Sequence, residues 1–131
     1  MGARILVADD DLELLQAIAE VLLQRGYDVV KARNGDELIA ALAASPFDLV
    51  VTDVSMPWMT GLQAAHSARY AGLQSPILVI SALDDPTLPA KVASLGERAH
   101  LLRKPFDLTT LEDVVDEMLG SLPSQEPTTC A

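Results

Sequence analysis

Four strand-like runs in this chain lead into side chains that can handle a phosphoryl group. Arg4-Ile5-Leu6-Val7-Ala8 runs into Asp9-Asp10, and Phe47 to Thr52 runs into Asp53. Pro76 to Ile80 runs into Ser81, and His100 to Arg103 runs into Lys104. Carboxylate oxygens are hard donors suited to Mg²⁺, which binds through one or two carboxylates and keeps several waters. Three carboxylates brought together repel, and a divalent cation relieves that repulsion. A lysine ammonium is a compact charge suited to a phosphoryl oxygen, and a serine supplies a hydroxyl donor. Around one carboxylate, such groups make a setting for phosphoryl transfer, which needs positioning and charge neutralisation above all. Asp53 is the carboxylate best placed as nucleophile. Each residue alone has an ordinary structural use, in a turn, a cap or a loop. Their recurrence at successive strand ends argues for a shared site.

The elements that must position them follow from the pattern. Leu15, Ile18 and Leu22, with Leu14 and Val21 beside them, recur at helical spacing behind a cap expected at Asp11. Gly26 is expected to close that helix. Tyr27 to Ala32 reads as a strand. Asn34 with Glu37 reads as a capping box opening a second helix with Leu38, Ile39 and Leu42 on its buried face. A third, weaker helix is expected over Leu62 to Tyr70. A short one is expected at about Leu88 to Leu95, after Pro86 and with Pro89 inside it. Asp107 should cap the last helix, whose face is Leu108, Leu111, Val114, Val115, Met118 and Leu119, and Gly120 should stop it.

Five strands thus alternate with five helices. The continuous Val/Ile/Leu runs fit strands covered on both faces, hence a parallel sheet. Right-handed crossovers leave few arrangements. A flavodoxin-like, doubly wound (βα)5 sheet in the order 2-1-3-4-5 fits five strands best. That order puts strands one and three side by side, so Asp9, Asp10 and Asp53 share one crevice.

Composition agrees with one α/β domain, expected over 1–120, followed by a polar tail or linker start over 121–131. Half of the 131 residues are hydrophobic and 21% are charged, an ordinary globular balance. Nine cationic against nineteen anionic side chains give a net charge of −10, which disfavours nucleic acid or an anionic membrane as direct partner. No apolar run approaches membrane-spanning length, and no hydrophobic signal region precedes the first strand. The single cysteine, Cys130, excludes an internal disulfide. A cytoplasmic setting is expected. His66 and His100 lack companions at metal-ligand spacing. Met56, Trp58 and Met59 flank the loop after Asp53 and read as packing residues.

Ile5-Leu6-Val7-Ala8-Asp9-Asp10, Asp53 with Met56-Pro57 and Gly61, Ile80-Ser81-Ala82, and Lys104-Pro105-Phe106 together resemble the receiver domain of two-component response regulators. The resemblance covers about Arg4 to Leu119. It implies that Asp53 is phosphorylated by a partner histidine kinase or phosphotransfer protein. It implies Mg²⁺ held by Asp10, Asp53 and the backbone carbonyl of Ser55, with Asp9 acting mainly through a metal-bound water. Lys104 would hold a phosphoryl oxygen, with a cis bond to Pro105, and Ser81 would swing towards the phosphoryl group. Such a module is a switch and not an enzyme with turnover, although it assists its own phosphorylation and dephosphorylation. The resemblance leaves room for a homodimer through the fourth helix, fifth strand and fifth helix.

This chain departs from the family in three places. Leu101 stands where an aromatic residue is usual, three positions before the lysine. Gly96 to Lys104 is one residue longer than usual. Pro86 and Pro89 interrupt the start of the fourth helix. The alternative class is a Mg²⁺-dependent phosphohydrolase with an aspartyl nucleophile. Those enzymes usually carry a second Asp two residues after the nucleophile, where this chain has Ser55.

Overall fold

The computed structural model describes residues 3–44, 46–53, 76–82, 86–94 and 98–120. Its elements run β1 (Arg4–Ala8), α1 (Leu12–Gln24), β2 (Asp28–Ala32), α2 (Gly35–Ala44), β3 (Leu49–Asp53), β4 (Ile77–Ser81), α3 (Leu88–Ala93), β5 (Ala99–Arg103) and α4 (Leu108–Gly120). The five strands pair in parallel in the order β2-β1-β3-β4-β5, as expected from the sequence. The helix expected over Leu62 to Tyr70, the loop from Ser55 through Gly61, and His66 and Cys130 lie outside the described residues. Among the described residues, no helix is long and apolar enough to cross a membrane.

Strand alternation explains why the runs are apolar throughout. Successive side chains point to opposite faces of a strand. Leu6, Ala8, Val50, Ile77 and Val79 join α2 and α3 through Leu38, Leu88 and Val92. Ile5, Val7, Leu49, Val51, Leu78 and Ile80 join α1 and α4 through Leu15, Ile18, Leu22, Leu111 and Val115. Both faces are therefore covered, and in β1, β3 and β4 both parities are apolar through the middle of the strand. Continuing the count, Asp9, Asp53 and Lys104 fall on the α1/α4 side, and Ser81 falls on the α3 side with Val79.

The local signals are realised with small shifts. Asp11 caps α1, its carboxylate accepting from the backbone of Glu13 at 3.2 Å and of Leu14 at 3.3 Å. Gly26 follows that helix at φ 95°, a conformation that only glycine adopts without strain. Asn34 accepts from the Glu37 amide at 2.9 Å, but Glu37 reaches back one residue further than a capping box would. Its carboxylate takes the Arg33 backbone N–H at 2.7 Å and the guanidinium at 3.0 Å. Asp107 accepts from the Thr110 hydroxyl at 3.2 Å, and its carbonyl receives the Leu111 amide. Helix α3 ends at Ala93, two residues short of the expected end. Pro89 sits in its first turn, where no N–H is needed. Phe47 is buried but precedes β3. Asp48 exchanges backbone and side-chain bonds with Arg4 at 2.8 Å, and the Arg4 guanidinium lies 4.8 Å over the Phe47 ring.

One polar cluster, distant in sequence, ties α1 to α4. Arg25 pairs with Glu112 at 3.1 Å and with Asp116. The Tyr27 hydroxyl donates to Asp116 at 2.5 Å. Burial, then the bond to Asp116 and its charge, push the Tyr27 phenol up to about 12. An unfolded tyrosine ionises near pH 10. The unfolded chain therefore loses this proton first, so the contribution is complete below about pH 10 and is lost as the pH rises to about 12. In a tyrosinate absorbance titration, one of the two tyrosines should ionise about two pH units late. Tyr27→Phe should remove that late step and flatten the alkaline loss of stability. A single ionisation step near pH 10 for both tyrosines would contradict it.

Candidate functional site

The site forms because β1 and β3 are central neighbours. Ala8 stands opposite Thr52 in the register, so one step further on Asp9 stands beside Asp53. The Asp9 amide still donates to the Ala32 carbonyl at 3.1 Å, which fixes its backbone to β2. Asp9 is fully buried, Asp53 is 6% exposed, and Asp10 is exposed. One carboxylate oxygen from each of Asp9, Asp10 and Asp53 lies within 4.8 Å of the others. Two ligands on opposite sides of a Mg²⁺ ion at about 2.1 Å would stand roughly 4.2 Å apart. The three oxygens can thus close on one small hard cation with sub-ångström movement, and their chemistry fits it.

Lys104 reaches this cluster from the end of β5. Its ammonium lies 3.3 Å from Asp9 Oδ2 and 3.6 Å from Asp53 Oδ2. Its backbone N–H donates to the Ser81 carbonyl at 2.8 Å, so the ends of β4 and β5 are locked together. The Lys104–Pro105 bond is cis, as the family resemblance implied. Ser81 is buried at the neighbouring strand end. Asp9 Oδ1 accepts from the Asp11 amide at 2.9 Å. Among the described residues, three carboxylates face one ammonium.

Asp9, Asp10, Asp53 and Lys104, singled out from sequence, are therefore brought into one crevice with Ser81 beside it. Ser55 lies outside the described residues. His100 stands in mid-strand opposite Leu78, away from this edge. Leu101 is half-buried and packs against the cluster that includes Leu88 and Val92, on the α3 side of the sheet. The sequence reading missed the Asp11 amide on Asp9. The Asp-x-Asp spacing signals it, because an Asp side chain commonly accepts from the amide two residues on. It also missed an open groove of about 510 Å³ beside the lysine, lined by Leu14, Ala82, Lys104, Pro105 and Phe106.

Residues 5–116 match the model of the response regulator receiver domain. The chain is 31% identical over 127 residues to the transcriptional regulatory protein PcoR of Escherichia coli, covering 97% of this chain and 56% of that protein. It is 36% identical over 126 residues to the DNA-binding transcriptional regulator NtrC of Rhizobium meliloti, covering 96% of this chain and 26% of that protein. The chain thus spans about half or less of the length of these relatives. The chemotaxis protein CheY4 of Vibrio cholerae superposes with a TM-score of 0.82 at 28% identity, over 90% of this chain and 99% of that one. The response regulator TrrA of Thermotoga maritima, crystallised in complex with Mg²⁺-BeF, superposes with a TM-score of 0.78 at 26% identity. That likeness covers 90% of this chain and 99% of TrrA. The chain that carries this buried acidic edge, its lysine and its neighbouring serine belongs to the response regulator receiver domain family.

Proposed function

We propose that this chain is a phosphoacceptor switch in which Asp53 takes a phosphoryl group from a histidine kinase or phosphotransfer protein. The observation that carries the reading is the Lys104 ammonium set between Asp9 Oδ2 and Asp53 Oδ2 at 3.3 and 3.6 Å. An Asp53 carboxylate oxygen attacks the phosphorus of a phosphohistidine. The P–N bond breaks, its electron pair stays on the imidazole, and an acyl phosphate forms on Asp53. Lys104 needs only a short movement to follow the negative charge onto a phosphoryl oxygen. Ser81 supplies a hydroxyl to another. Asp9, Asp10 and Asp53, with the Ser55 carbonyl, would hold Mg²⁺, which neutralises charge on the phosphoryl oxygens when bound. The similar response regulator TrrA was crystallised in complex with Mg²⁺-BeF, which supports a Mg²⁺ site here. The groove of Leu14, Pro105 and Phe106 offers an apolar seat beside Lys104 for the surface that carries the donor histidine.

In this reading the domain occupies 1–120, with a tail or linker start over 121–131, and works in the cytoplasm. It turns over no external substrate, and its site assists only its own phosphorylation and dephosphorylation. Homodimerisation through α3, β5 and α4 fits the charges there. Exposed Lys91 lies on α3 and exposed Arg103 on β5, exposed Asp113 and Glu117 lie on α4, and a two-fold axis that faced these elements would set cations against anions.

Incubation with acetyl phosphate and Mg²⁺ should add one acid-labile phosphoryl group, located by mass on Asp53. Asp53→Ala should take up none, a chelator should prevent uptake, and Lys104→Ala should slow it about 100-fold. Uptake by Asp53→Ala at the wild-type rate would overturn the assignment.

The output route should differ from that of relatives with an aromatic ring at the Leu101 position. A switch needs an element with two arrangements. Leu101 offers no ring to turn and no hydroxyl to find a new partner. Movement of Ser81 should instead pass towards α3, a six-residue helix held by Leu88 and Val92. Hydrogen exchange with and without beryllofluoride should show altered protection over 88–93 and little change at Leu101. Changes confined to β5 and α4 would refute this route.

A further inference from the structure

We infer that Asp11 is a positioning residue for the metal-binding carboxylates, acting through Asp9. The inference rests on the Mg²⁺ site proposed above. Asp9 has two oxygens with different tasks. Oδ2 faces the Lys104 ammonium at 3.3 Å, and Oδ1 accepts the Asp11 backbone N–H at 2.9 Å. Without the second bond, a buried carboxylate at a strand end is free to rotate about its terminal torsion, which is broad for Asp. The Asp11 N–H therefore sets which oxygen Asp9 turns towards the crevice.

The direction of that N–H is in turn set by the Asp11 side chain. Asp11 adopts an extended backbone at φ −82°, ψ 102°, and its carboxylate accepts from Glu13 and Leu14 while its carbonyl receives Leu15 at 2.9 Å. These bonds define where α1 begins. Helix ends fray when uncapped, and the residue that then slides is the one whose amide holds Asp9. Asp10 lies between the two anchored residues, so its carboxylate is carried on a backbone held at both sides. Asp11 itself is exposed and does not belong to the carboxylate group within 4.8 Å. Its effect on the metal is geometric, through the amide and the cap.

Groups bonded to metal ligands typically govern affinity by about 10- to 100-fold. Here a side-chain change loosens the amide and does not delete it, so the loss belongs at or below the lower end of that range. Mg²⁺ affinity should be measured by calorimetry on the full chain for wild type, Asp11→Ala and Asp11→Asn, at a temperature where circular dichroism shows all three folded. Asparagine caps helices as well as aspartate does but carries no charge. Positioning predicts that Asp11→Ala binds about 3- to 10-fold more weakly while Asp11→Asn stays within about twofold of wild type. Equal loss in both variants would mean that the negative charge alone matters and would overturn the inference. Unchanged affinity in Asp11→Ala would overturn it as well. Wild type that takes up no Mg²⁺ would overturn the metal reading first, and this inference with it.

Discussion

The repulsion among Asp9, Asp10 and Asp53, answered among the described residues by the Lys104 ammonium, is the constraint around which the chain is arranged. Two like charges 4.8 Å apart repel by about 3 kcal/mol at an effective dielectric near 20. Exposure of Asp10 to water lowers its share. A fold whose purpose was stability alone would not place three carboxylates there. The lysine offsets part of the cost, since its ammonium lies within 3.6 Å of both buried members. The remainder is negative potential at the edge of a crevice, suited to a hard cation and, once that cation is held, to a phosphoryl group.

The sheet makes this arrangement possible by being covered on both faces. Because β1, β3 and β4 are buried on each side, their middle residues are apolar, and polar groups appear together where the strands end. Parity then sorts them. Asp9, Asp53 and Lys104 fall on the side of α1 and α4, and Ser81 on the side of α3. In the proposed function this division separates chemistry from output. The acceptor, Asp9 and the lysine share one side, while the hydroxyl that senses the phosphoryl group ends a strand on the other, the face that carries Leu101, Leu88 and Val92.

The order of strands and the convergence of the acidic residues were legible because both depend on strong local patterns. Ile5 to Ala8 and Ile77 to Ile80 admit few readings other than buried parallel strands, and strand order 2-1-3-4-5 then forces Asp9 beside Asp53. What escaped was set by distance in sequence or by single hydrogen bonds. Arg25 and Tyr27 meet Asp116 some 90 residues away, and nothing local to either end announces the pairing. Phe47 reads as a strand residue from its apolar neighbours, yet Asp48 is used to tie down Arg4, so the strand starts at Leu49. Glu37 reads as the partner of Asn34, but Arg33 offers it both an amide and a guanidinium, and that charge-assisted combination prevails. The same guanidinium holds the Glu37 carboxyl below its usual range.

If crowding of the carboxylates organises the site, neutralising one of them should stabilise the metal-free chain. The direct measurement is urea unfolding of wild type and Asp53→Asn, each in chelator and in saturating Mg²⁺. In chelator, Asp53→Asn should be more stable by about 1–2 kcal/mol, because repulsion falls while Lys104 keeps Asp9. Mg²⁺ should then raise the wild-type midpoint far more than that of the variant, closing the gap. A variant less stable than wild type without metal, or an equal gain from Mg²⁺ in both, would contradict the account.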